Sequence, residues 1–159
     1  MSSTGSKATS PDRIEKTTVL RAPRSRVWRA LSSHEEFGKW FGVIMDKHFT
    51  PGATINGKIL DPVWADKPFT MTIDRVEPER LLSLRWHPYA HDPGVDYSAE
   101  PTTLIEFTLD EVPEGTRLTV VESGFDRIPI ERRAQAYRMN DEGWGIQAGN
   151  IKKYVEQTA

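Results

Sequence analysis

Cysteine is absent from the 159 residues of this chain. Disulfide bonds, thiolate metal ligands and cysteine nucleophiles are therefore excluded, because each of them needs a cysteine sulfur. The chain also has no apolar run approaching the roughly 20 residues of a membrane-spanning helix, and its first residues, MSSTGSKATSPDR, contain no apolar signal core. These absences predict a cytoplasmic protein that is not inserted in a membrane.

An excess of charge of either sign is also missing. Lys and Arg number 21 and Asp and Glu number 23, so the formal net charge is -2. Nucleic acids and acidic membranes favour proteins that carry a basic patch. We therefore expect no nucleic acid and no acidic membrane surface as a partner.

Motifs for metal, cofactor and covalent chemistry do not occur either. His87 and His91 are four residues apart, but Pro88 lies between them and prevents a shared helix face for a zinc ion. A loop metal site with Asp92 and Asp96 is the alternative to a solvated loop, which we favour because no recognised ligand spacing is present. A Gly-x-Ser-x-Gly motif, a phosphate-binding glycine loop and a dinucleotide fingerprint are all lacking. We expect no metal, no cofactor and no assigned catalytic residue.

The composition is that of one globular domain. Hydrophobic residues make up 37% and charged residues 28% of a chain long enough to bury a substantial core. Residues 1–12 are small and polar and are predicted to form a flexible tail. Because no linker or internal repeat divides the remainder, residues 13–158 are predicted to form a single domain.

The predicted elements follow the order of one strand, two short helices, several strands and a long helix. The β-branched run at 14–21 predicts the first strand. Pro23 favours a helix start, and Ser33 with Glu36 has the capping-box spacing that begins a second short helix. Apolar and polar residues then alternate in segments joined by short turns, which predicts an antiparallel meander. The predicted strands of this meander cover 53–60, 69–76, 81–88, 102–112 and 116–123.

The C-terminal segment is predicted to be helical, with one apolar stripe before the weak stretch at 139–143 and a second stripe after it. The first stripe comprises Ile130, Ala134 and Tyr137, and the second comprises Trp144, Ala148, Ile151 and Val155. Glycines at 143, 145 and 149 each cost roughly 1 kcal/mol relative to alanine in a helix interior. Either a kink or a close backbone approach would explain why the helix keeps them.

Short motifs in a fixed order carry a family resemblance. They are Ala22–Leu31, Trp40-Phe41, Glu77–Leu81, Leu84–Trp86, Thr103–Leu109, Gly115–Leu118, Glu122–Phe125 and Gly143-Trp144. Together they extend over about 14 to 156 and resemble the family named after the activators of the heat-shock-protein-90 ATPase. That family lies in the START-like (SRPBCC) superfamily, with the birch-pollen allergen and the polyketide cyclases. The resemblance implies an α+β helix-grip fold, in which a curved antiparallel sheet wraps around a long C-terminal helix.

The superfamily resemblance also implies a cavity between the concave sheet and the terminal helix. Pockets for small apolar ligands are lined mainly by apolar and aromatic side chains. The expected lining is Phe69, Met71, Leu84, Trp86, Phe107, Trp144, Ala148 and Ile151, with Trp40 and Phe41 near the mouth. The chain departs from the family pattern at Ala148, where leucine is usual, and the smaller side chain would leave more space. The alternative is that these residues fill the core.

Glu122 is the ionisable residue of most interest. It has the strand parity of Leu118 and Val120, so its carboxylate is expected to point inward near the cavity rim. A buried carboxylate is costly unless it is hydrogen-bonded, and burial raises its pKa. We favour a strand-end residue that is bonded to a loop amide or paired with an arginine. The alternative hypothesis is that Glu122 binds or positions a polar group of a ligand.

Three classes of function follow from the resemblance, because one fold hosts many functions. The leading prediction is a binding module for a small hydrophobic molecule, such as a lipid or a polyketide. The second is a polyketide cyclase, aromatase or hydrolase, with Glu122, Tyr137 and His34 as candidate acid–base groups, none of them convincingly paired. The third is a module that stimulates a chaperone ATPase. Chaperone contact is least favoured, because the eukaryotic activators carry a separate N-terminal domain for which we expect no room here.

Overall fold

Seven strands and three α-helices make up the part of the chain that the computed structural model describes, which is residues 12–90, 92 and 94–158. The strands are β1 (Arg13–Leu20), β2 (Val43–Met45), β3 (Thr54–Ile59), β4 (Phe69–Glu77), β5 (Leu81–Trp86), β6 (Thr103–Val112) and β7 (Gly115–Ser123). The helices are α1 (Arg24–Ser32), α2 (His34–Phe41) and α3 (Ile130–Thr158), with a 3₁₀ turn at Phe125–Arg127. The predicted order of elements is confirmed.

All seven strands belong to one antiparallel sheet with the order β1-β7-β6-β5-β4-β3-β2. Strands β2 to β7 form a meander, and β1 pairs with β7 at the far edge. Because β1 and β2 are consecutive in the chain but lie at opposite edges, α1 and α2 must cross the sheet to join them. Helix α3 then packs against β1, α1 and α2. This arrangement of curved sheet and terminal helix is the predicted α+β helix-grip fold.

One face of the sheet is buried, as the alternation in the sequence predicts. In β6 the buried side chains are those of Thr103, Ile105, Phe107 and Leu109. In β7 they are those of Thr116, Leu118, Val120 and Glu122. The register pairs Ile105 with Glu122, so the carboxylate of Glu122 lies on the core side of the sheet among apolar neighbours.

The two short helices are set by local chemistry. The hydroxyl oxygen of Ser33 accepts a hydrogen bond from the backbone N–H of Glu36 at 3.2 Å, so the predicted cap of α2 is confirmed. Gly42 ends α2 with a φ of 87°, which an L side chain rarely adopts. Helix α2 therefore ends at Phe41, with Gly42 as its cap. The three-residue strand β2 follows directly, and it is too short to leave an alternating pattern in the sequence.

The terminal helix is one element from Ile130 to Thr158. Its second apolar stripe packs as predicted, since Trp144, Ile151 and Val155 are buried and Ala148 is half-buried. Of the predicted first stripe, Tyr137 packs against the core, whereas the prediction is wrong for Ile130 and Ala134. Ile130 is 74% exposed, and Ala136 is buried instead of Ala134. The reason is that the early helix packs on the 3₁₀ turn, where the rings of Phe125 and Tyr137 are 5.2 Å apart.

The three glycines of α3 do not mark a close approach. A Cβ atom added at Gly143, Gly145 or Gly149 would meet no other atom within 4 Å beyond the helix's own backbone. Of the two explanations considered from the sequence, a close backbone approach is therefore wrong, and each position faces open space.

The N-terminal end of the described chain is attached to the fold. The carbonyl oxygen of Asp12 accepts hydrogen bonds from the backbone N–H groups of Gly124 and Phe125 at 3.2 and 3.4 Å. The flexible tail predicted for residues 1–12 otherwise lies outside the described residues, as does His91. None of the helices in the described ranges combines the length and apolar character that crossing a membrane requires.

Candidate functional site

The carboxylate of Glu122 is the most enclosed charged group of the sheet, with an exposed fraction of 0%. Its Oε2 accepts hydrogen bonds from Nε1 of Trp86 at 2.8 Å and from Oγ1 of Thr103 at 2.6 Å. Its Oε1 accepts one from Nε1 of Trp144 at 2.7 Å. Nδ2 of Asn140 lies 3.0 Å from Oε1 and 3.1 Å from Oε2. The single carboxylate therefore connects the ends of β5 and β6 to the middle of α3.

The partners of Glu122 differ in kind from those favoured by the sequence. An arginine or a loop amide was expected to hold a strand-end carboxylate, and this expectation is wrong. Trp86, Thr103, Asn140 and Trp144 are all uncharged and all donate from side chains. The role proposed for Glu122 in positioning a ligand stays a prediction.

Two opposing effects act on the protonation of Glu122. Burial raises the pKa of its carboxyl above the ordinary value of 4.5, and the hydrogen bonds from Thr103, Trp86, Trp144 and Asn140 offset part of that rise. An indole N–H can only donate, so Trp86 and Trp144 each require an accepting oxygen. The donors thus favour the ionised form, while the loss of water around the group disfavours it.

A cavity of about 230 Å³ that opens to solvent lies against three of the residues that donate to this carboxylate. We call it the groove, and it is lined by Phe41, Trp86, Met139, Asn140, Gly143, Trp144, Ile146 and Gln147. Trp86, Asn140 and Trp144 are also donors to Glu122. One layer of side chains therefore forms both the wall of the groove and the enclosure of the buried charge.

Aromatic rings form one wall of the groove. The rings of Trp86 and Trp144 are stacked, with centroids 5.7 Å apart and planes 20° apart. The ring of Phe41 lies 6.1 Å from each of them. Nε2 of Gln147 donates to the backbone oxygen of Phe41 at 3.0 Å, which fixes the end of α2 against α3. The wall is consequently held in place by contacts from three separate elements.

The eleven residues predicted to bind a ligand fall into three groups. Phe41, Trp86 and Trp144 line the groove, and Glu122 lies behind it. Phe69 and Ala148 are half-buried and do not line it. The remaining five belong to the buried core and are Trp40, Met71, Leu84, Phe107 and Ile151. For these five residues the structure agrees with the alternative considered from the sequence, in which the side chains belong to the core.

Five lining residues were missed by the sequence reasoning, all of them on α3. They are Met139, Asn140, Gly143, Ile146 and Gln147. A helical spacing signal was present, because residues 140, 144 and 147 are separated by four and three positions and share a face. Asn140 and Gln147 lie one turn away from Trp144, but they are polar, so the apolar stripe of the helix does not include them.

The other acid–base candidates do not meet at the groove. The hydroxyl of Tyr137 donates to the backbone oxygen of Arg13 at 3.1 Å. The ring of His34 packs edge-on against His48, with centroids 4.7 Å apart. Across the ranges that the structure describes, no group of three or more His, Cys, Asp or Glu side chains is placed to hold a metal ion.

Comparison with known proteins relates this architecture to one family. The family described as "Activator of Hsp90 ATPase homolog 1-like protein" matches residues 21–156. No curated protein matches the chain at a significant level.

Solved structures share the fold. MLL2253 from Mesorhizobium loti is 22% identical, has a TM-score of 0.72, and is matched over 92% of this chain and 98% of its own. NE0264 from Nitrosomonas europaea is 22% identical, has a TM-score of 0.72, and is matched over 94% of this chain and 97% of its own. At such identities the likeness establishes the fold alone.

DynU16, a protein in the dynemicin biosynthetic locus, is 27% identical with a TM-score of 0.70. The match covers 91% of this chain and 47% of DynU16, so the present chain spans about half the length of that protein.

Proposed function

Because this chain belongs to the Activator of Hsp90 ATPase homolog 1-like family, whose START-like fold encloses a helix within a curved sheet, we propose that it is a binding module. Its ligand is a small, largely apolar molecule that lies in the groove between the end of α2, the end of β5 and the middle of α3. The proposal assigns no catalytic residue.

The observation that carries this proposal is the chemistry of the groove wall. Aromatic rings and the side chains of Met139 and Ile146 supply apolar surface, while Asn140 and Gln147 supply two polar positions. Ligand pockets have this composition, in which much apolar surface buries the ligand and a few polar groups orient it. Ile146 is 60% exposed, so one side of the groove leaves apolar surface in contact with water until a ligand covers it.

The size of the groove limits its occupant. Pockets for drug-sized ligands measure roughly 300–1,000 Å³, and this one measures about 230 Å³. A molecule with one aromatic ring, or the ring-bearing end of a longer molecule, fits that space. The lipids and polyketides considered from the sequence would therefore place only part of their length in the groove.

The groove is also preorganised. Trp86 and Trp144 are fixed by hydrogen bonds to Glu122, and Gln147 is fixed by its hydrogen bond to Phe41. Side chains that are already ordered lose little conformational entropy when a ligand binds. The wall thus favours binding without rearrangement.

A pair of glycine variants tests the proposal. Gly143 lines the groove and Gly145 does not, yet both face open space on the same helix. In Gly143→Leu the new side chain occupies part of the groove, whereas Gly145→Leu adds the same side chain elsewhere. Both should gain about 0.5–1 kcal/mol of stability, because glycine is unfavourable in a helix interior.

Binding is measured by titrating a panel of lipids, flavonoids and polyketides and following tryptophan fluorescence, which reports on Trp86 and Trp144 in the wall. We expect a saturable change in the wild type and in Gly145→Leu, and a weaker one in Gly143→Leu. An unchanged fluorescence for the whole panel, or equal binding by both variants, contradicts the proposal. Native mass spectrometry of the protein taken from cell extract would identify the ligand.

A second candidate function is an enzyme of the polyketide cyclase, aromatase or hydrolase type. The likeness to DynU16, a protein in the dynemicin biosynthetic locus, favours it, and Glu122 is the candidate acid–base group. Turnover of a polyketide substrate that is lost in Glu122→Gln would support this function over simple binding.

Two further expectations from the sequence stay predictions. Stimulation of a chaperone ATPase, which the description of the family suggests, is tested by measuring ATP hydrolysis by a purified chaperone with and without this protein. A cytoplasmic location is tested by fractionating cells that produce it.

A further inference from the structure

The carboxyl group of Glu122 behind the groove has no counter-ion in the described part of the chain. Each of the four groups that donate to Glu122 is neutral, and the ion pairs formed by the described residues all involve other carboxylates. No Lys, Arg, Asp or Glu lines the groove. An ionised Glu122 therefore gives the groove a net negative potential, which water screens little because the carboxylate has no exposed surface.

The indoles of Trp86 and Trp144 lie between the carboxylate and the groove and add to the negative potential there. An aromatic ring has a negative face, and tryptophan attracts cations more strongly than the other aromatic residues do. Trp86 and Trp144 donate their N–H groups to opposite oxygens of the same carboxylate, at 2.8 and 2.7 Å. When an indole N–H donates to an anion, the indole is polarised and the electron density of its ring rises. Trp86 and Phe41 are half-buried, so they leave ring surface for a ligand.

The two amide side chains of the groove differ in their acceptors, because Oε1 of Gln147 already accepts a hydrogen bond from Nδ2 of Asn150 at 3.1 Å. Nδ2 of Asn140 donates to Glu122, and Nε2 of Gln147 donates to the backbone oxygen of Phe41. Within the described residues, Oδ1 of Asn140 accepts no hydrogen bond, and it is not among the buried atoms that lack a partner. The atom of Asn140 that can still form a hydrogen bond is thus its oxygen, which suits a ligand that carries a hydrogen-bond donor.

The negative potential, the exposed ring surface and the free oxygen of Asn140 all favour the same class of ligand. We propose that the groove selects organic cations, namely protonated or alkylated amines attached to an apolar body. The inference rests on the proposed function of the groove and names the class of its ligand. The apolar body packs on Ile146 and Met139, and the ammonium group lies over the rings of Trp86 and Phe41. An anionic ligand of the same shape is repelled by Glu122.

Three probes of similar shape test the proposal, because they differ mainly in charge. They are benzylammonium, benzyl alcohol and benzoate, and their affinities are measured by isothermal titration calorimetry at neutral pH. We expect benzylammonium to bind about tenfold more tightly than benzyl alcohol, which is the order of magnitude of a cation–π contact. Benzoate is expected to bind most weakly.

The outcomes separate this inference from the proposed function. If benzyl alcohol binds as tightly as benzylammonium, or benzoate binds best, the inference is overturned while the binding function stands. If none of the three probes binds and the wider panel also fails, both are overturned.

A matched pair of charge variants locates the effect. Glu122→Gln removes the buried charge, and Glu106→Gln removes one charge from the opposite face of the sheet on β6. We expect the ratio of the benzylammonium to benzyl alcohol affinities to fall below the wild-type value in Glu122→Gln, where the rings remain but the carboxylate is gone, and to stay near ten in Glu106→Gln. Equal ratios in the two variants would overturn the inference.

A measurement on the wild type keeps the test decisive if Glu122→Gln does not fold. The indole N–H resonances of Trp86 and Trp144 report on the wall, and that of Trp40, which donates to the backbone oxygen of Ala30, serves as an internal reference. Benzylammonium should shift the first two resonances more than benzyl alcohol does and leave the third unmoved. A uniform shift of all three resonances, or no shift, contradicts the proposal.

Discussion

Trp144→Phe should destabilise the protein in a way that depends on pH, because it removes one donor from a buried carboxylate. The indole Nε1 lies 2.7 Å from Oε1 of Glu122, and phenylalanine has no N–H. Hydrogen bonds to charged groups are worth roughly 1.5–3 kcal/mol. The phenyl ring retains part of the packing against Phe107 and Trp86, whose ring centroids are 5.6 and 5.7 Å away. The lost packing adds a cost that does not vary with pH.

The sign of the pH dependence follows from the pKa of Glu122. Burial holds the folded-state pKa above 4.5, so between 4.5 and the raised value the folded protein binds more protons than the unfolded chain. The stabilisation that Glu122 contributes is fully present below pH 4.5, and it is lost as the pH rises through the folded-state pKa. Removing the Trp144 donor, which lowers that pKa, raises it further. The penalty of Trp144→Phe should therefore be smallest near pH 4.5 and reach its full value above the raised pKa.

Urea unfolding of the wild type and the variant over a series of pH values measures this penalty. Trp40→Phe is the matched control, because Trp40 is 5% exposed and its Nε1 donates at 2.9 Å to the neutral backbone oxygen of Ala30. Its penalty should be about 0.5–1.5 kcal/mol for the hydrogen bond, plus packing, at every pH. If the penalties of the two variants run parallel across the series, the charge on Glu122 is not what Trp144 stabilises.

Three smaller predictions concern the backbone, and urea unfolding at neutral pH measures all of them. Ser33→Ala should cost about 1 kcal/mol, because it removes the cap of α2; an unchanged midpoint would contradict the role of that cap. Gly115→Ala should cost more than about 1 kcal/mol, because the position has a φ of 143° and the new Cβ would lie 2.2 Å from the backbone oxygen of Leu20. Gly149→Ala should stabilise the protein by about 0.5–1 kcal/mol, because its Cβ would enter open space, and a loss of stability would indicate a contact that the structure does not contain.

The parts of the fold that could be predicted depend on local rules. Alternation along β6 and β7 identified the buried face, and the spacing of Ser33 and Glu36 identified the start of α2. These signals depend on residues close in sequence, so no partner element was needed to interpret them. The prediction for the first stripe of α3 failed at Ile130 and Ala134 for the opposite reason. Ile130 and Ala136 are distinguished only by what the helix meets there, which is the 3₁₀ turn and the ring of Phe125.

The site was only partly predictable, because its chemistry comes from distant segments. Strand parity placed the carboxylate of Glu122 inward, but it did not supply its partners. Trp86 is 36 residues away and Trp144 is 22 residues away, and only the register of the sheet and the position of α3 bring them to the same carboxylate. Asn140 and Gln147 lie on the flank of the helix beside its buried stripe. Because they are polar, the spacing of apolar residues does not identify them.

The enclosure of Glu122 bears on how the carboxylate acts. A general acid or base must come within hydrogen-bond reach of the proton that it transfers. Both oxygens of Glu122 already accept hydrogen bonds from indole N–H groups, and the side chain has no exposed surface. Proton transfer to a ligand in the groove would require Trp86, Trp144 or Asn140 to move and leave a buried donor or acceptor unpaired, which costs about 1–3 kcal/mol for each group. An electrostatic effect needs no such movement, since the charge acts through the indoles that separate it from the groove. The geometry therefore favours binding over acid–base catalysis as the role of this carboxylate.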